Sequence, residues 1–130
     1  MLPGEGQVGR YSDLLKTGRR GDNLTPHHVP SNRFMIAKVP EYRRGMGIAI
    51  MMEHPVPGQG GRHRQTLSYG HPPNLNLSPR QALAREVKDV RNIYCRQELY
   101  TPQLRQSLQQ IIELNQQTWP GIFDKGESVF

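Results

Sequence analysis

The chain has one cysteine, Cys95, among its 130 residues. A single thiol cannot close an internal disulfide or build a cysteine-rich zinc site, so the fold does not depend on oxidation and suits a reducing compartment. Long apolar runs are missing as well. Hydrophobic residues make up 35% of the chain and the mean hydropathy is −0.71. No stretch approaches the roughly eighteen apolar residues of a membrane span. Met1-Leu2-Pro3-Gly4-Glu5 has no basic start followed by an apolar centre, so no signal peptide is expected. Phosphate-loop and dinucleotide fingerprints are absent, and Gly58-Gln59-Gly60-Gly61 lacks the lysine and the strand-to-helix context of a nucleotide-triphosphate site. Acidic residues are scarce: 11 Asp and Glu against 17 Lys and Arg leave a charge of +6 and a pI near 9.9. That balance calls for an anionic partner.

Glycine and proline, by contrast, are plentiful, at 13 and 11 residues, and predict much irregular backbone. The length suits one domain with a modest core. Residues 1–8 read as a flexible leader and 9–130 as a single domain. The positive charge is uneven: residues 1–72 hold 10 Lys and Arg against 5 Asp and Glu, and residues 73–130 hold 7 against 6. All five histidines, His27, His28, His54, His63 and His71, lie in the basic half.

Periodicity divides the chain in the same place. In the first half, Arg10 to Lys16 suits a short helix with Tyr11, Leu14 and Leu15 on its apolar side, and Ser31 caps another over residues 32–38 that Pro40 ends. Gly47-Ile48-Ala49-Ile50-Met51-Met52 is the one clear strand. In the second half, Ser78-Pro79 and Thr101-Pro102 each pair a cap with a first-turn proline. Leu83, Val87, Val90 and Tyr94, then Leu104, Leu108, Ile111 and Asn115, follow at helical spacing. The expected fold is α+β, a small sheet and an irregular Gly/Pro-rich N-terminal part packed on a C-terminal helical hairpin that turns near Leu99. Trp119 and Phe123 fold back over its open end.

The candidate chemistry centres on Thr25-Pro26-His27-His28-Val29-Pro30-Ser31. Each proline biases the residue before it towards extended backbone, so neither histidine lies in a helix and the two rings leave a strand on opposite faces. A neutral imidazole is both a metal ligand and a general base near pH 7. Asp22 is either an orienting partner for the pair or a turn residue, and the turn is preferred. Arg62-His63-Arg64 adds an imidazole between two guanidinium groups suited to phosphate oxygens. Glu53-His54 can supply a carboxylate ligand or simply end the strand.

The blocks Gly-Asp-Asn-Leu-Thr-Pro-His-His-Val-Pro-Ser, Gly-Ile-Ala-Ile-Met-Met-Glu-His and His-Arg-Gln-Thr-Leu-Ser-Tyr-Gly resemble the C-terminal toxin domains of bacterial polymorphic toxins. These are the variable tips of Rhs, contact-dependent inhibition and type VI secretion effectors, and their His-His group is similar to HNH/endonuclease VII nucleases. The resemblance implies a metal-dependent DNase with His28 as base, His27 and His63 as metal ligands, Glu53 as a further ligand, and Mg, Zn, Mn or Ni as the divalent ion. Arg19, Arg20, Arg62 and Arg64 would bind substrate. It implies delivery as the tip of a larger effector, action in the target cell's cytoplasm and neutralisation by an acidic immunity protein. A metal-free RNase using His28 and His63 as an acid–base pair, a toxin with another substrate and a non-catalytic nucleic-acid-binding module are the alternatives.

Overall fold

The structure, a computed structural model, describes residues 1–124, so the last six residues of the domain expected over 9–130 lie outside it. Three antiparallel strands form the sheet, β1 (Val8–Arg10), β2 (Leu24–His28) and β3 (Ile48–Glu53), in the order β1-β3-β2. The apolar run is the central strand because it is covered on both faces. Ile48, Ile50 and Met52 join the main core with the long C-terminal helices, while Ala49 and Met51 pack on Leu14 of α1 (Tyr11–Thr17). A strand buried on both sides has no polar face to show, which is why this one does not alternate. Leu15, expected on the buried side of α1, is exposed, because Leu14 and Tyr11 are the residues that pack against the sheet.

β2 pairs with β3 from Leu24↔Glu53 to His28↔Ala49 and leaves its other edge free. Pro26 fits there because an edge strand tolerates a missing N–H. Asp22 is the turn residue that leads into it: its carboxylate accepts from the Arg19 N–H (2.8 Å) and the Leu24 N–H (3.0 Å). After the strand, the Ser31 hydroxyl accepts from the Phe34 N–H and caps α2 (Asn32–Lys38), whose Phe34 and Met35 enter the main core.

The hairpin is α3 (Pro79–Arg96) and α4 (Pro102–Thr118), each with proline in its first turn. Ser78 and Gln81 make a reciprocal capping box, and Thr101 accepts from the Leu104 N–H. Trp119 and Phe123 are buried in the main core. The α+β architecture expected from the sequence is the one observed.

Residues 1–8 are not a flexible leader. The Glu5 side chain is wholly buried and accepts from Arg62 Nε and Nη2, both at 2.6 Å, and from the Tyr94 hydroxyl at 2.5 Å. Gly6 and Gln7 continue the sheet ladder against Met51. Burial alone would raise the Glu5 carboxyl, but the bonds from Arg62, Tyr94 and Leu2 outweigh it and hold it below its ordinary value. A sequence pattern cannot show this ion pair, because its partners lie 57 residues apart.

Candidate active site

His27 and His28 leave β2 on opposite faces, as extended backbone requires, yet both line one cleft of about 300 Å³. The cleft lies at the free edge of the strand, so rings from either face can reach it. His27, opposite Ile50, meets the His63 ring edge-on with centroids 5.1 Å apart. His28, opposite Ala49, stacks on Tyr11 at 4.3 Å.

The chain after the pair is held by the hairpin. Asn115 Nδ2 donates to the Val29 carbonyl at 2.9 Å, and the Glu86 carboxylate accepts from the Ser31 N–H at 3.1 Å. Burial pushes the Glu86 carboxyl up to about 7. Gly47 presses against His28 from the other side. A Cβ there would meet His28 Cδ2 at 2.5 Å and overlap the Tyr42 hydroxyl, so the position admits no side chain.

His28 has a defined tautomer. Its Nε2 lies 2.9 Å from the Arg44 carbonyl, which can only accept, so Nε2 carries the hydrogen and Nδ1 keeps the lone pair. Arg44 also donates from Nη2 to the Tyr11 hydroxyl at 3.0 Å, tying together the two residues that clamp the ring. Burial lowers the His28 pKa, the Arg44 carbonyl bond raises it and the Arg44 charge lowers it, and the net shift is downward. His27 is depressed to about 3, first by burial and then by His63 and His28. His63 is depressed to about 4 by burial, then by His54 and Arg64. At pH 7 these rings are neutral.

The loop from Pro55 carries His63 back over the end of β3. Gly61 permits it, with φ at +84° and no room for a Cβ against Pro55 and the Glu53 carbonyl. His63 Nδ1 lies 2.9 Å from His54 Nδ1, and Arg64 Nη2 lies 3.2 Å from His54 Nε2. Tyr69 borders both rings, 5.3 Å from His63 and 6.0 Å from His54.

Of the residues expected to bind metal or substrate or to act as base, His27, His28 and His63 line the cleft, and Glu53, Arg19, Arg20, Arg62 and Arg64 do not. Arg62 is corrected from a substrate-binding residue to a structural one. It is 7% exposed, forks onto Glu5 and gives Nη1 to Gln97 at 2.9 Å. Arg64 turns to His54 and the Gly60 carbonyl. Arg19 lines a second groove with Asn23, Thr25 and His54, and Arg20 is exposed and borders neither space.

As metal ligands, His27, His63 and Glu53 are not assembled. Glu53 accepts from the Arg62 N–H at 3.3 Å and lies 3.5 Å from its Nη1. Among the described residues no group of three or more His, Cys, Asp or Glu is arranged to hold a metal ion.

Sequence reasoning missed Arg33, which lines the cleft from the first turn of α2, as well as Tyr11, Tyr69 and His71. His71 was visible only as one of five histidines in the basic half, and Arg33 only as the second residue after the Ser31 cap. No helix among the described residues is long and apolar enough to cross a membrane. The chain matches no protein-family model, no curated protein and no solved structure.

Proposed function

We propose that this domain is a nuclease that cleaves RNA by imidazole chemistry, with His28 as general base. The observation that carries the reading is the geometry of His28. Its Nε2–H is committed to the Arg44 carbonyl, its ring is clamped by Tyr11, and the ring, whose other nitrogen keeps its lone pair, lines a cleft shared with His27 and His63. A base held neutral at pH 7 is ready to take a proton.

In the reaction, Nδ1 of His28 removes the proton of a ribose 2′-hydroxyl, and the 2′-oxygen attacks the adjacent phosphorus. The bond from phosphorus to the 5′-oxygen breaks, leaving a 2′,3′-cyclic phosphate. The departing oxygen takes its proton from His71, an exposed imidazole of the cleft. His63 is neutral, so it serves as a hydrogen-bond donor to a non-bridging oxygen, and Arg33 faces the same charge. The basic surface supplies backbone affinity that weakens with salt.

The resemblance of the Thr25-to-Ser31 block to polymorphic-toxin tips supports an antibacterial role, with delivery on a larger effector into the target cell and an acidic immunity protein as partner. It also supports the metal-dependent DNase as the second reading, since two imidazole nitrogens 2.9 Å apart, His54 and His63, can also face one ion.

The test incubates the purified domain with single-stranded RNA and with plasmid DNA, with and without EDTA, beside His28→Ala. The expected result is EDTA-resistant RNA cleavage with cyclic-phosphate ends, reduced about 10²- to 10⁴-fold by His28→Ala. DNA breakdown abolished by EDTA would replace this reading with the metal-dependent one, and inertness on both substrates would sink the nuclease assignment.

A further inference from the structure

Arg64 and His54 do not line the cleft themselves, yet they form a directed chain that ends at His63, which does. A guanidinium can only donate. Arg64 Nη2, 3.2 Å from His54 Nε2, therefore makes that nitrogen an acceptor. A neutral His54 must then carry its hydrogen on Nδ1, which lies 2.9 Å from His63 Nδ1. That contact can form only if one nitrogen donates and the other accepts, so His63 Nδ1 accepts. The hydrogen of neutral His63 is left on Nε2.

We infer that Arg64 and His54 are positioning residues that fix His63 as the Nε2–H tautomer, so that it brings a hydrogen-bond donor to the cleft it lines together with His28. The two cleft imidazoles are thus set in complementary roles by backbone and side-chain partners outside the cleft. His28 donates outwards to the Arg44 carbonyl and keeps an acceptor. His63 accepts outwards from His54 and keeps a donor. A phosphodiester needs that asymmetry, since its nucleophilic hydroxyl must lose a proton while its phosphoryl oxygens must be held by donors. Arg64 owes its place to the loop, where Nη1 also donates to the Gly60 carbonyl at 2.9 Å. This assignment rests on the proposed reading for its catalytic meaning, but the tautomer itself does not.

The test reads the tautomer without activity, by ¹⁵N correlation spectra of the ring nitrogens at neutral pH in the wild type, Arg64→Ala, Arg64→Lys and His54→Phe. The wild type should show His63 with a pyrrole-like Nε2 and a pyridine-like Nδ1. Arg64→Ala and His54→Phe should give His63 mixed tautomers, and Arg64→Lys, which keeps a donor, should restore the single form. On RNA, kcat should fall about ten- to a hundredfold in Arg64→Ala, in the range of lost partners that orient an imidazole, with KM little changed. A wild-type His63 protonated on Nδ1 overturns the inference, and so does addition of zinc that moves both Nδ1 resonances together. If the tautomers behave as stated but RNA is untouched, the nuclease reading fails and the positioning chain stands.

Discussion

The helical hairpin and the sheet half of this molecule are specified by different kinds of information. Each helix of the hairpin starts at its own cap, Ser78 or Thr101, and buries a stripe set by spacings of three and four, so its instructions lie within a few residues of where they act. The sheet half has short elements joined by loops, and its key contacts join distant parts of the chain. Glu5 meets Arg62 and Tyr94, His28 meets Arg44, and His63 folds back on His54. The hairpin also serves the other half as a template. Tyr94 closes the Glu5 cluster, Asn115 holds Val29, and Glu86 holds Ser31. Local rules built the support, and long-range polar contacts placed the chemistry on it.

Arg62 and Arg64 bring that contrast down to two residues on either side of one histidine. Arg62 is buried in a forked ion pair with a wholly buried carboxylate, and Arg64 is half-buried and bonded to the neutral His54 and Gly60. Arg62→Ala strands the Glu5 charge and should cost about 3–5 kcal/mol, the usual penalty for breaking a buried pair by removing one partner. Chemical denaturation of both variants checks this. Arg64→Ala should leave the midpoint nearly unchanged while affecting turnover, and equal losses of stability in the two would erase the distinction.

Acid separates the halves next, because their buried groups titrate with opposite sign. His27 has a folded value of about 3 against an ordinary 6.5, so its stability contribution is present above pH 6.5 and lost as pH falls towards 3. Glu86 is raised to about 7, so its contribution is present below its ordinary value of 4.5 and lost as pH rises through 7. Between pH 6.5 and 5 the two oppose each other. Glu86→Gln keeps an acceptor for the Ser31 N–H and removes one side of that balance. In this variant stability should drop by about 3 kcal/mol from pH 6.5 to 5, because His27 and His63 both stay neutral in the folded state and each loses up to roughly 1.4 kcal/mol per pH unit. Melting temperatures across that range give the answer, and a flat profile would mean that His27 is not held neutral by burial.

What could be read from the sequence follows the same division. Helix starts, the apolar central strand and the extended histidine segment were visible because caps, prolines and periodicity act locally. The histidine pair stood out for the same reason, since Pro26 and Pro30 frame it. Arg62 was misread because a basic loop looks alike whether its guanidinium faces solvent or a carboxylate 57 residues earlier. Glu5 was misread as part of a leader because a lone acid among glycines carries no sign of burial. His54 was weighed with Glu53 as a strand end, and its pairing with His63 depends on a loop path that Gly61 permits but does not announce.

The smallest expected effect belongs to the most legible feature. In the capping box at α3 the Ser78 hydroxyl accepts from the Gln81 N–H at 3.2 Å, and the Gln81 side chain accepts from the Ser78 N–H at 2.9 Å. Ser78→Ala removes the first of these and should cost about 1 kcal/mol. The loss stays small because Ser78 is exposed, so water can replace the hydroxyl, and because the apolar stripe below still docks in the main core. RNA cleavage at a temperature well below the melting point should be unchanged, since the cap touches neither Glu86, Asn115 nor the cleft. A loss of turnover with the midpoint barely shifted would show that the start of α3 also sets the histidine geometry, and the support and the chemistry could no longer be treated as separable.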